Sequence, residues 1–177
     1  MRLERYTAFV GFVALMSSMT PARATAPAEA KPHASLFAPD TIGAPKCFCP
    51  TFTPDGKVVV FVKSGRGLFE ARFQGDRWGE AKPLPFSGPK DTRDGDPFLS
   101  PDGSRLFFWS NRPFPGKTTK DTDLWVVERR ADGWGEPRRL DPPVNNEVNE
   151  PFPAVAADGT LYFGTVRPGS GGLDPVP

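Results

Sequence analysis

A short turn sequence that ends in Asp-Gly occurs three times in this chain of 177 residues, each time before an apolar run. The copies are Pro50–Gly56, Pro97–Gly103 and Pro153–Gly159, whose aspartates at positions 55, 102 and 158 give repeat intervals of 47 and then 56 residues. A second motif, Asp-x-Trp-Gly-Glu, recurs in phase at Asp76–Glu80 and Asp132–Glu136. Two motifs that recur in the same order define an internal structural repeat.

The residues of these turns predict β-hairpins. Asp-Gly between two apolar runs is a hairpin signal, because glycine accepts a positive φ without a Cβ clash. The proline that precedes it fixes φ and lacks an N–H, which suits a turn. The runs Val58–Val62 and Leu106–Trp109 are apolar on both faces. Such strands must be buried on both sides, as they are in sheets packed face to face.

Further strands complete a unit of four. The next strands are predicted at Leu68–Gln74 and Leu124–Arg129, and the outer strands near Ala81–Leu84 and Pro137–Leu140. Four short strands in about 50 residues have the size of one propeller blade. The sequence therefore predicts an all-β fold, a partial β-propeller of about two and a half four-stranded antiparallel blades. The repeat region is predicted at residues 46–174. Blade one is predicted at 46–93, blade two at 94–149 and the partial blade three at 150–177.

The N-terminus has the pattern of an export signal. Arg2 and Arg5 precede the apolar run Ala8–Met16, which is too short to span a bilayer. Small residues follow. Ala24–Ala26 is the predicted cleavage site, and Ala22–Ala24 is a second candidate. Residues 1–26 are therefore a predicted signal peptide cleaved after Ala26, and the Ala/Pro-rich residues 27–45 a predicted flexible leader. We expect a periplasmic or secreted protein without a membrane span.

Several local motifs resemble those of one known propeller family. They are Ser100–Gly103, Phe107-Phe108, Ser110–Pro113, Asp123–Trp125 and Asn149-Glu150. Together they resemble the PD-type, WD-repeat-like β-propeller family, best known from TolB-like periplasmic proteins. The resemblance implies a propeller of six or so blades, of which this chain would be a truncated fragment. In two places the chain departs from the pattern, with Cys47 and Cys49 where blade two has Asp94 and Asp96, and Ala156-Ala157 in place of Ser-Pro.

Charge and residue inventory exclude several functions. Lys and Arg total 22 against 21 Asp and Glu, so there is no basic excess of the kind that nucleic-acid binding needs. The only histidine, His33, lies in the leader, and no Gly-x-Ser-x-Gly elbow is present. We therefore predict no catalytic residues, no metal and no cofactor.

Charged residues next to the blade strands are the candidate binding residues. Asp94, Asp96 and Glu150 precede the first strand of their blades, which in a propeller lies near the central channel. They would bind a cation, act as acid and base, or hydrogen-bond loop amides and hold neighbouring blades in register. Arg112 and Arg167 follow analogous strands and are predicted to bind an anionic group.

The pair Cys47-Phe48-Cys49 leaves three alternatives open. It would bind a metal together with His33, form a local disulfide, or remain as two separate thiols. A Cys-x-Cys spacing without further ligands is a weak metal signal, and an i,i+2 pair along a strand is poor disulfide geometry.

These observations predict an exported, non-catalytic β-propeller scaffold that binds a protein or a small ligand at the propeller mouth, in the cell envelope. One alternative is the propeller part of an enzyme, either a peptidase gate domain or a carbohydrate-active propeller, with the catalytic part missing. Another is a truncated, inactive gene product. An oligomer that completes the blade ring between subunits is a further expectation.

The predicted cleavage of the signal peptide can be tested by measuring the residue at which the exported protein begins. We expect the exported protein to begin at Pro27, or at Thr25 if the second site is used, and intact-mass spectrometry of the envelope fraction measures this. The substitution Val13→Asp places a charge in the apolar run and should leave an uncleaved chain in the cytoplasm. The control Val13→Leu should be processed normally. Equal processing of both variants would contradict the signal assignment.

Overall fold

The computed structural model describes residues 37–38, 41–43, 45–88, 91–117 and 121–165 of the chain. Twelve β-strands and no helix occur in these residues. Among them there is accordingly no helix long and apolar enough to cross a membrane. The predicted signal peptide with Ala26, as well as His33 and Arg167, lies outside the described residues.

Blade one is an antiparallel sheet whose fourth strand is divided in two. Its three long strands pair in chain order. Two short strands then pair with two different parts of the third long strand. The strands are β1 (Cys47–Phe52), β2 (Val58–Lys63), β3 (Gly67–Gln74), β4 (Arg77–Trp78) and β5 (Lys82–Pro83).

Blade two repeats this arrangement, and blade three is represented by two strands. In blade two the strands are β6 (Asp94–Leu99), β7 (Arg105–Ser110), β8 (Asp123–Arg130), β9 (Gly133–Trp134) and β10 (Arg138–Arg139). Both β9 and β10 pair with β8. In blade three β11 (Ala154–Val155) pairs with β12 (Leu161–Tyr162). The predicted fold class, a partial β-propeller with antiparallel four-stranded blades, is confirmed.

The central strands are buried on both faces, as their sequence requires. Val60 and Val62 of β2 pack against Leu106 and Phe108 of β7 and form the core between blades one and two. The opposite face of β7 carries Phe107, which packs in the core between blades two and three. Strands that are apolar on both faces are stable only with a neighbour on each side, and each blade supplies that neighbour to the next.

The outer face of blade one is covered by residues from the predicted leader. Val59, Phe61 and Phe69 form a core cluster with Ile42, and Ala38 packs against it. The carbonyl oxygen of Ala38 accepts the N–H groups of residues 41, 42 and 43, at 2.9–3.0 Å. This compact turn holds Ile42 against the blade.

A hydrogen-bonded turn joins β6 to β7. The Ser100 hydroxyl accepts the N–H of Arg105 at 3.0 Å and donates to Oδ1 of Asp102 at 2.5 Å. The same oxygen of Asp102 accepts the N–H of Ser104 at 3.0 Å. Gly103 closes the turn with a φ of 71°, which explains the Asp-Gly signal. The repeated motif is thus a self-contained network of side-chain and backbone bonds.

The other two turns keep most of this network. In blade one the Thr53 hydroxyl accepts the N–H of Val58 at 3.0 Å and donates to Asp55 at 2.6 Å. The hydrogen bond from the Thr53 hydroxyl, followed by that from the backbone N–H of Lys57, holds the pKa of Asp55 below its usual range. Blade three has Ala156 at this position and no hydroxyl, but Asp158 still accepts the N–H of Thr160 at 2.9 Å.

The turn network predicts how blade one responds to substitution. Thr53→Ala should lower the free energy of unfolding by about 1–2 kcal/mol, because the buried N–H of Val58 loses its side-chain acceptor and Asp55 loses a donor. Thr53→Ser retains the hydroxyl and should lose little of this. Urea unfolding monitored by tryptophan fluorescence measures both. Equal midpoints for the two variants would show that the hydroxyl contributes nothing.

Candidate functional site

One end of the blades carries loops of very different length. Because the strands are antiparallel, the loops 64–66 and 111–122 lie at the same end as the first residues of β1 and β6. We call this the loop end. The second loop has twelve residues where the first has three, a difference of nine. The repeat intervals of 47 and 56 differ by the same number, so blade two carries an insertion at this end.

Asp94 and Arg112 form a buried ion pair that joins blades one and two. Nη2 of Arg112 donates to Oδ1 of Asp94 at 2.8 Å, and the side chain of Asp94 is 1% exposed. The hydroxyl of Ser87 donates to the other oxygen of Asp94 at 2.6 Å and accepts the N–H of Leu68 at 2.8 Å. Nη2 of Arg112 also reaches the carbonyl oxygen of Phe86, at 3.3 Å. We call this set of contacts the interblade clamp.

The guanidinium of Arg112 contacts two aromatic rings in addition to the hydrogen bonds that its N–H groups donate. It lies 5.1 Å from the ring centroid of Phe108 and 5.1 Å from that of Trp125. Its Nε donates to the hydroxyl of Ser110 at 3.0 Å. Arginine suits such a place because its planar charge stacks on rings and bonds carboxylates simultaneously. These contacts favour the register-holding alternative for Asp94, while ligand binding by Asp94 and Arg112 stays a prediction.

Asp96 lies at a backbone irregularity that recurs in each blade. Cys49, Asp96 and Phe152 have φ values of 51°, 44° and 56°, and each directly precedes a proline. In β1 and β6 the strand register shifts at this point, as in a β-bulge. Bulges redirect side chains. Asp96 thereby accepts the indole N–H of Trp109 at 2.8 Å and the thiol of Cys49 at 3.3 Å.

In the structure Cys47 and Cys49 are not bonded to each other. Burial, followed by the hydrogen bond to Asp96 and its negative charge, raises the pKa of the Cys49 thiol to about 11. The thiol is therefore protonated at neutral pH and is a poor nucleophile and metal ligand. A disulfide between Cys47 and Cys49 stays a prediction.

A cluster of charged side chains lies where the loop 111–122, which we call the insertion loop, meets the start of blade three. Asp123 is fully buried, and its carboxylate accepts from Nη2 of Arg139 at 2.7 Å and from the Lys117 ammonium. The same ammonium lies 3.3 Å from the Asp121 carboxylate and 3.1 Å from the Asp121 carbonyl oxygen. We call these residues, together with Glu150, the charged cluster.

Glu150 is the least satisfied member of the charged cluster. Its side chain is fully buried, and in the described part of the chain neither carboxylate oxygen accepts a hydrogen bond. Burial and then the negative charge of Asp123 raise the pKa of Glu150 to about 7, and the Asn146 backbone amide opposes this only in part. Asp94 occupies the corresponding position of blade two, 56 residues earlier, and is fully bonded.

Two cavities open at the loop end. One of about 320 Å³ is lined by Phe114, Lys117, Arg139, Asn145 and Glu147. Asn145 fixes its wall by bonding the N–H and the carbonyl oxygen of Leu124, at 2.7 and 2.8 Å. The second, of about 210 Å³, lies between blades one and two, and its lining includes the cationic residues Lys63, Arg66 and Arg93.

The structure divides the predicted site residues among three places. Asp94 and Arg112 meet in the interblade clamp, Asp96 bonds Trp109 and Cys49, and Glu150 belongs to the charged cluster. Sequence reasoning missed the rest of that cluster, Lys117, Asp121, Asp123 and Arg139. The nine-residue difference between the repeat intervals was the available signal.

No family model matches this chain, and a search of the curated proteins gives no match.

The interblade clamp predicts a large effect for one arginine. Arg112→Met should lower the free energy of unfolding by about 3 kcal/mol, because the buried carboxylate of Asp94 loses its counter-charge. Arg72→Met is the matched control, since it breaks the pair of Arg72 with Glu70, in which Arg72 is 57% exposed, and should cost no more than about 1 kcal/mol. Urea unfolding measures both variants.

A double variant separates lost charge from lost packing. Adding Asp94→Asn to Arg112→Met removes the unpaired charge and should recover part of the loss. The clamp would be unsupported if Arg112→Met cost no more than Arg72→Met.

Proposed function

We propose that this chain is an exported, non-catalytic β-propeller scaffold, TolB-like by resemblance, that binds a protein or a small ligand in the cell envelope through its loop end. The observation that carries the proposal is the contrast between the two ends of the blades. At the loop end, blade two has a loop of twelve residues where blade one has three. At the opposite end the same turn recurs with little change. Variable loops on a constant framework are typical of binding surfaces.

The framework beneath these loops is rigid enough to present them. The central strands are packed on both faces, and the interblade clamp fixes blade one to blade two directly below the loop end. Asn145 anchors the loop after β10 to β8. A binding surface held in this way loses little conformational entropy when a partner docks.

The charge of the cavity between blades one and two favours a partner with anionic groups. Lys63, Arg66 and Arg93 line this cavity, and among the described residues of its lining the one acidic residue, Asp94, is already paired with Arg112. The cavities at the opposite end have mixed linings, with Glu128 and Glu136 beside arginines in one of them. Complementary charge on a partner would steer it to the loop end.

The groups with shifted pKa values support binding over catalysis. Cys49 is protonated at neutral pH, so it lacks the thiolate that a nucleophile needs. Glu150 has the pKa of a general acid, but its buried carboxylate has no access to a substrate.

A site-specific photocrosslinking experiment tests this function in cells that export the protein. A benzophenone amino acid replaces Arg66 at the loop end or, as the matched control, Arg77 at the opposite end, both of them exposed. We expect an adduct at position 66 and none at position 77. The intact mass of the adduct distinguishes a protein partner from a small ligand. Adducts of equal yield at both positions, or none at position 66, would overturn the proposal.

A further inference from the structure

Three carboxylates converge between blades two and three. One oxygen from each of Asp121, Asp123 and Glu150 lies within 4.8 Å of the other two. They come from the insertion loop, from the first residue of β8 and from the chain just before β11. We infer that these carboxylates form a site for a divalent cation, with Ca²⁺ the best fit, and that the Lys117 ammonium competes with the ion for the same oxygens. This goes beyond the proposed scaffold function and does not depend on it.

The unsatisfied state of Glu150 is the observation that points to a ligand. Among the described residues it is a fully buried carboxylate whose oxygens meet no donor at normal hydrogen-bond geometry, although the Asn146 backbone amide partly stabilises its charge. It faces the oxygens of the other two acids. The carboxylate oxygens of Asp121 also lack a hydrogen bond, although one of them is near the Lys117 ammonium. Buried carboxylates are stable when they are paired with cations or coordinate a metal.

The charge balance favours a divalent ion over the lysine. When all three carboxylates are ionised they face two cations, Lys117 and Arg139, and the cluster then keeps one uncompensated negative charge. A divalent cation in place of the ammonium balances the three carboxylates together with Arg139. The exchange therefore removes the residual charge from a buried place, where it is most costly.

The oxygens around the Lys117 ammonium are those that would bind the ion. Its ammonium contacts the Asp121 carbonyl oxygen at 3.1 Å, the Asp121 carboxylate at 3.3 Å and the Asp123 carboxylate. These are hard oxygen donors from both side chain and backbone, the set that Ca²⁺ prefers. Lys117 also lines the cavity of about 320 Å³, into which its side chain can move when an ion enters.

The three carboxylate oxygens lie close enough together to share one hard cation. Ligands on opposite sides of Ca²⁺ are about 4.6–5.2 Å apart, given its usual ligand distances, whereas those of Mg²⁺ are only about 4.0–4.2 Å apart. The oxygens of this cluster lie within 4.8 Å of one another, which is compatible with a single Ca²⁺ shared by all three carboxylates. An ion here would tie the insertion loop and β8 to blade three.

Calorimetric titration of the purified protein with CaCl₂, after treatment with EDTA and dialysis, tests the site. We expect one Ca²⁺ per chain and weaker binding of MgCl₂ in a parallel titration. Glu150→Gln should weaken Ca²⁺ binding about tenfold or more, because a ligand charge is lost. Lys117→Met should strengthen it about tenfold or more, because a competing positive charge is removed. Glu147→Gln is the matched control, since Glu147 is exposed and lines the same cavity outside the cluster, and it should bind like the wild type.

The wild type, Glu150→Gln and Glu147→Gln decide the question even if Lys117→Met does not fold. Equal Ca²⁺ binding by the two glutamine variants would overturn the site, as would absence of binding in both the wild type and a folded Lys117→Met. Arg167→Met provides a further test, since Arg167, outside the described residues, is the sequence counterpart of Arg112. If it destabilises the protein as Arg112→Met does while the wild type binds no Ca²⁺, an arginine satisfies Glu150 and the metal site is wrong.

Discussion

Apolar packing between blades one and two underlies the other contacts of this fold. β2 and β7 are apolar on both faces, so neither blade is stable as an isolated sheet. Full burial of a side chain such as Phe108 contributes roughly 1.5–3 kcal/mol, and the shared core contains several of this kind. Each blade therefore requires apolar contacts on both sides, and in the described residues the turn around Ile42 packs on the face of blade one that is turned away from blade two.

Polar contacts at the loop end follow from this packing. Once the two blades face each other, Asp94 is removed from water and is stable only with donors on both carboxylate oxygens. Ser87 and Arg112 supply them, and the rings of Phe108 and Trp125 hold the guanidinium in place. Two features thus specify the interface. One is the complementary packing of the apolar side chains, and the other is a set of hydrogen bonds that forms in only one register.

The next interface is built on the same plan but with a different charge balance. Glu150 corresponds to Asp94, yet it faces two further carboxylates that the insertion loop and β8 provide. Lys117 and Arg139 compensate them incompletely. The two interfaces therefore share a fold but differ in chemistry, and the difference arises at the loop end, where the blades have diverged in length.

The strands, the turns and the need for face-to-face burial can be predicted from the sequence, because they depend on local periodicity and on the backbone preferences of Asp-Gly and proline. The sequence also indicates the insertion, through unequal repeat intervals. Which charged side chains contact one another depends instead on how the blades pack. Glu150 reaches Asp123, 27 residues earlier, and Cys49 reaches Asp96, 47 residues later, because blade packing and strand bulges bring them together. Such contacts depend on the register between sheets, which no local pattern encodes.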